Sequence, residues 1–120
     1  MAKRSEQREG WLKDLLITAV EGGINYWAYV DEYDPEAGTC IISPCEDDEE
    51  FAPIRMDLDK LASGVSISLQ KRGTWGAAGN PRYVDQYFLS ERTNGDDGDY
   101  DADIADSVMQ FACFKEIVYS

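Results

Sequence analysis

The chain has 120 residues, 43% of them hydrophobic, with 24 Asp and Glu against 11 Lys and Arg, no His, and a formal net charge of −13. That length suits one domain of about 100–150 residues, large enough to bury a core without disulfides or metals. Seven Tyr, four Phe and three Trp argue against wholesale disorder, and the charge argues against direct binding to nucleic acid or an anionic membrane surface.

Residues 1–8 are polar and carry Lys3, Arg4 and Arg8, so they read as a flexible lead-in to a single domain over 9–120. Apolar residues then recur at helical spacing at Trp11, Leu12, Leu15, Leu16, Ala19 and Val20. Gly22-Gly23 offers the positive φ that a C-cap favours, which predicts a helix over about 9–21. Ile24, Tyr26, Ala28 and Val30 alternate with Asn25, Trp27, Tyr29 and Asp31, the pattern of a strand. Asp34-Pro35-Glu36-Ala37-Gly38 is a turn sequence and Thr39–Ser43 a second strand, giving a hairpin over 24–43. Pro44 ends it, and Glu46–Glu50 form an acidic loop.

Phe51–Met56 is expected as a third strand at a sheet edge, because Pro53 removes a ladder donor. Asp57 is placed to cap a helix with Leu58, Leu61, Ala62, Val65 and Leu69 on its apolar side, although Gly64 and Val65-Ser66-Ile67-Ser68 oppose a helix on propensity. Residues 73–79 form a glycine-rich connecting loop around Trp75. Asn80 as N-cap and Pro81 at the first helical position open a helix with Tyr83, Val84, Tyr87 and Phe88. Asp101 and Asp103 lead into a last helix with Ile104, Ala105, Val108, Met109, Phe111 and Ala112, and Ile117–Tyr119 is expected as a short strand. The sum is an α+β fold, one compact domain with an antiparallel sheet of about three to four short strands and about four helices.

Known chemical motifs fail on spacing. With Gly98 as the sixth position of a calcium loop, Thr93, Gly95 and Ile104 fall on ligand positions and only Asp97 fits. Cys40 and Cys45 lack the paired ligands of a zinc site, so no metal and no cofactor is expected. The glycine loop lacks the Gly-Lys-Ser/Thr ending of a phosphate-binding loop. Three Cys, an odd number, and an opening without an apolar stretch point to a cytoplasmic protein with reduced thiols.

The acid itself is clumped. Residues 31–50 hold Asp31, Glu32, Asp34, Glu36, Glu46, Asp47, Asp48, Glu49 and Glu50 without one Lys or Arg. Residues 96–106 hold Asp96, Asp97, Asp99, Asp101, Asp103 and Asp106, again without a base. The first window lies beside aromatic residues of a strand, Trp27 and Tyr29 among them, a residue class enriched at binding hot spots.

The segment Thr18-Ala19-Val20-Glu21-Gly22-Gly23-Ile24-Asn25-Tyr26-Trp27-Ala28 resembles the opening of a family of small acidic proteins from actinobacteria and their phages. Asp101-Ala102-Asp103-Ile104-Ala105-Asp106, followed by Gln110, Phe114 and Ile117-Val118-Tyr119, resembles that family's ending, with Lys115 where the relatives have Gly. The resemblance implies a phage or mobile-element origin. The family carries no established activity, so it transfers no functional residue.

The expectation is a non-enzymatic acidic protein that engages a basic, nucleic-acid-binding protein, as a nucleic-acid mimic acting on a host defence or transcription protein. Its candidate contact residues are the nine carboxylates of 31–50 with Trp27 and Tyr29, and secondarily Asp96, Asp97 and Asp99. Two alternatives stand beside it: an interaction module that binds through the aromatic strand, with acid serving solubility, and an enzyme using carboxylates or a divalent metal.

Overall fold

A computed structural model describes residues 4–45, 52–71, 75 and 81–119 of the chain. Ser5 starts the first helix, α1 (Glu6–Thr18), its side chain accepting the Arg8 amide at 3.1 Å, with Glu6 and Glu9 against the positive end of the helix dipole. The helix thus begins before the expected residue 9. The end of the lead-in is also tied down: Arg8 donates to the Glu91 carbonyl and carboxylate at 2.8 Å each and to Asn94 at 3.1 Å, and its guanidinium lies over the Trp11 ring.

Past Thr18 the helix widens into one π-turn, Ala19–Gly23, closed by Ile24 N–H to the Ala19 carbonyl at 2.9 Å. Gly22 and Gly23 therefore do not serve as a positive-φ cap. The role of Gly23 is close approach: a Cβ on it would stand 2.7 Å from the Ala102 carbonyl and 3.2 Å from Asp106 Cβ.

Residues 24–27 turn rather than extend, and strand β1 runs Ala28–Asp34, four residues later than the alternation implied. Gly38, at φ 75°, closes the 34–38 turn, with its amide on the Asp34 carbonyl and the Ala37 amide on the Asp34 side chain. β2 (Thr39–Pro44) and β3 (Ile54–Met56) follow in an antiparallel sheet of order β1-β2-β3, so the proline-bearing segment does lie at an edge.

Asp57 caps α2 (Leu58–Gln70) through the Lys60 amide at 2.7 Å. The β-branched run stays helical because it packs: Leu61, Val65 and Ser68 are buried, and Gly64 lets α2 come within contact of Ala112 on the last helix. α3 spans Pro81–Arg92, and α4 spans Ala102–Phe114 with Asp101 as its N-cap. Trp75 is buried against Tyr87, Phe88 and Phe111, its indole N–H on the Ser68 carbonyl, so it plugs the helical core. The rest of the 73–79 loop, Asn80, and the Glu46–Glu50 acids with Phe51 lie outside the described residues.

Cys40, Ile42 and Met56 turn one sheet face into this core with Leu12, Leu16 and Leu61. The segment Ile117–Tyr119 is not a strand; it crosses back along α4, with the Val118 and Tyr119 amides both donating to Gln110 Oε1 at 2.8 and 2.7 Å. Among the described residues no helix is long and apolar enough to cross a membrane.

Candidate binding surface

Strand β1 does not alternate strictly. Tyr29 pairs with Ser43 and Val30 with Ile42, but Glu32, not Asp31, then pairs with Ile41. The extra residue is a β-bulge, and beyond it the facing of side chains is rephased by one. Ala28, Val30 and Tyr33 turn toward the helices, while Tyr29, Asp31, Glu32 and Asp34 are all exposed. Strict alternation would instead turn Tyr33 outward and drive Glu32 and Asp34 into the core. Ser43 donates its hydroxyl to Asp31, which holds the bulged carboxylate on the outer face.

Thr39, Ile41 and Ser43 of β2 and Arg55 of β3 complete that outer face, opposite the helices. A cleft of about 440 Å³ opens on it, with Glu32, Asp34, Ile41, Arg55 and Asp57 in its lining. Tyr29 stands 64% exposed at the other end of the strand. Glu36 lies exposed in the 34–38 turn, beyond the strand. Asp31, Glu32 and Asp34 span about 10 Å at the ~3.4 Å rise of a strand. The resulting charge density approaches the one charge per ~3.4 Å carried by a single strand of DNA.

Trp27 does not belong to this surface. It precedes β1, is 2% exposed, stacks on Tyr119 with centroids 5.1 Å apart at 7°, and packs against Phe114. Its indole N–H donates to Asp106 Oδ1 at 2.6 Å. The Tyr26 hydroxyl donates to Asp106 Oδ2 at 2.5 Å, and the Gln110 amide donates to Asp106 Oδ1 at 3.0 Å and to the Tyr119 carbonyl at 3.0 Å.

Asp106, 6% exposed, is thus a buried carboxylate held by three neutral donors. Burial pushes its pKa up, against the pull of the hydrogen bonds from Tyr26, Gln110 and Trp27. The same burial, with the neighbouring carboxylate, pushes the Tyr26 hydroxyl up. Both groups are locked in a structural tie, and neither lines the cleft on the sheet face. Sequence reasoning had placed Asp106 in an acidic cluster and missed Gln110 as the clasp for the final segment. The one available signal was helical phase, since Asp106 and Gln110 are four apart on one helix face.

The other carboxylates of 96–106 divide by task. Asp96 accepts Gln7, Asp101 caps α4, Asp103 sits in its first turn, and Asp97 is held in a turn only through its backbone amide and carbonyl, on the Thr93 hydroxyl. Asp99 holds its neighbour's amide (Tyr100, 2.8 Å), while its own amide bonds the Gln86 carbonyl. Among the described residues no group of three or more His, Cys, Asp or Glu side chains is placed to hold a metal ion. Burial raises the Cys40 thiol to about 11 and Cys113 to about 12, so both stay protonated at neutral pH. Compared with family models, with curated proteins and with solved structures, the chain matches none.

Proposed function

We propose that the protein is a non-enzymatic binding protein, encoded by a phage or mobile element, that docks the outer face of its sheet on a basic, nucleic-acid-binding protein in the host cytoplasm as a nucleic-acid mimic. The observation that carries this reading is the bulge, which turns Asp31, Glu32 and Asp34 all outward beside exposed Tyr29 on a face that no helix among the described residues covers. A bulge and exposed charge also discourage edge-to-edge pairing with another copy, so the same device keeps the surface open for a partner of opposite charge. A groove built to neutralise phosphates would meet carboxylates at comparable density and an aromatic ring among them.

The test is retention of a host protein on immobilised wild-type chain, followed by salt and duplex-DNA competition. Retention should fall steeply between about 50 and 200 mM salt, as phosphate-neutralising contacts do, and DNA should displace the partner. Glu32→Lys combined with Glu36→Lys should abolish retention with the circular dichroism spectrum unchanged. Tyr29→Ala should weaken it with little change in salt slope. Retention indifferent to salt, DNA and the double reversal overturns the proposal and leaves the acid to solubility.

A further inference from the structure

A second concavity lies on a different surface and stands apart from the sheet face. It is a cleft of about 240 Å³ between α3 and the loop before α4, lined by Tyr83, Gln86, Asp99, Tyr100 and Asp101. We infer that this cleft is a binding site for a guanidinium group, the head of an arginine side chain: two tyrosine rings wall it and two carboxylates edge it.

Its parts are held before any ligand arrives. A Cβ on Gly98, which sits at φ 74°, would collide with the Gln86 carbonyl, so the loop lies directly on α3. The Asp99 amide bonds that same carbonyl at 3.2 Å, and the Thr93 hydroxyl both accepts the Asp97 amide and donates to its carbonyl. Tyr100 meets Trp11 edge-on at 6.1 Å. Tyr83 is the opposite wall: 55% exposed, with no hydrogen bond or ring contact among the described residues.

Asp99 uses Oδ1 on the Tyr100 amide and Asp101 uses Oδ1 on the Ile104 amide. Neither forms an ion pair among the described residues, which leaves the second oxygen of each for a ligand. Among the described residues the hollow therefore presents an open tyrosine ring and two carboxylates without a counter-ion. A planar cation answers both, stacking on a tyrosine face while its N–H fork meets carboxylate oxygens. A sodium ion satisfies the carboxylates alone, and a quaternary ammonium satisfies the rings but donates no hydrogen bond.

The experiment is titration of isotope-labelled protein with N-methylguanidinium, tetramethylammonium and sodium at constant ionic strength, followed by amide chemical shifts. Saturable shifts confined to 83–86 and 99–102 with N-methylguanidinium, and much weaker ones with the other two, are expected. Tyr83→Ala should weaken that binding about fivefold or more, the loss of a cation–π contact of ~1 kcal/mol, and Tyr83→Phe should keep it. Asp99→Asn and Asp101→Asn each preserve the backbone acceptor, Asn being as good an N-cap as Asp, and each should weaken it again. Three results overturn the assignment: unsaturated shifts spread over all acidic segments, tetramethylammonium binding as tightly as the guanidinium, or Tyr83→Ala without effect.

Discussion

Removing the Asp106 side chain tests whether the buried carboxylate is a structural tie. In Asp106→Ala the indole N–H of Trp27, 2% exposed, loses its acceptor outright. The Gln110 amide keeps Tyr119 and Tyr26 as partners, and Tyr26 keeps the Tyr119 carbonyl at 3.2 Å. One orphaned donor costs about 1–3 kcal/mol, and each lost hydrogen bond to a charged group was worth about 1.5–3 kcal/mol. Relief of the carboxylate's own desolvation offsets part of this, leaving a net loss of about 3 kcal/mol. Trp27→Phe removes the donor instead and should cost about 1–2 kcal/mol. If the orphaned indole carries the cost, the double variant falls short of the sum by about 1.5 kcal/mol, well beyond the ~0.5 kcal/mol of ordinary non-additivity. Urea unfolding with an unchanged m-value measures all four species. A loss below about 1 kcal/mol for Asp106→Ala, or an additive cycle, refutes the tie.

Three further outcomes are expected. Because burial raises the Asp106 pKa above its unfolded value near ~3.9, the native state holds that proton more tightly; its stabilisation is complete below the unfolded pKa and lost as pH rises through the folded one. Wild type should therefore gain stability relative to Asp106→Asn on going from pH 7 toward pH ~4, and a relative loss over that range would contradict the direction of the shift. Lys115 ends α4 in the left-handed region at φ 65°, so Lys115→Gly should stabilise by about 0.5–1 kcal/mol in thermal unfolding. Gly64→Ala gains about 1 kcal/mol of helix propensity but drives a Cβ to 2.7 Å from Ala112 Cβ and 2.8 Å from the Val108 carbonyl, so it should destabilise by about 2 kcal/mol net in urea.

What the sequence conveyed was the chemistry that acts within a few residues. Asp57 and Asp101 announce caps, Asp34 to Gly38 announces a turn, and Trp11 to Leu16 announces a buried helix face, each through groups that meet within one turn of backbone. What it withheld depends on contacts between distant segments. Trp27 shows the same alternation as its neighbours, yet its burial is decided by Tyr119 and Asp106, about 80–90 positions away in the chain. The Gly22-Gly23 pair looks like a cap, but the need for Gly23 comes from Ala102 and Asp106. Nothing local marks the bulge at Asp31, because its driving force is the preference of Tyr33 over Glu32 for the core side, and that is known only once the sheet has a covered face.

The placement of these long-range contacts bears on where function resides. Residues 18–28 and 101–119 meet in space. The π-turn packs Gly23 onto the start of α4, and Tyr26 and Trp27 converge with Gln110 and Tyr119 on Asp106. The base-free acids of β1 and its turn, Asp31 to Glu36, lie outside both segments, on a face that contributes nothing to the clasp. Burying a carboxylate under three neutral donors is justified by what it holds together, whereas the exposed acids of β1 make only local contacts among the described residues, Asp31 with Ser43 and Asp34 with the Ala37 amide. Under the proposed function the first set answers to stability and the second to a partner, so substitutions in the clasp should move the unfolding midpoint and substitutions on the β1 face should move retention.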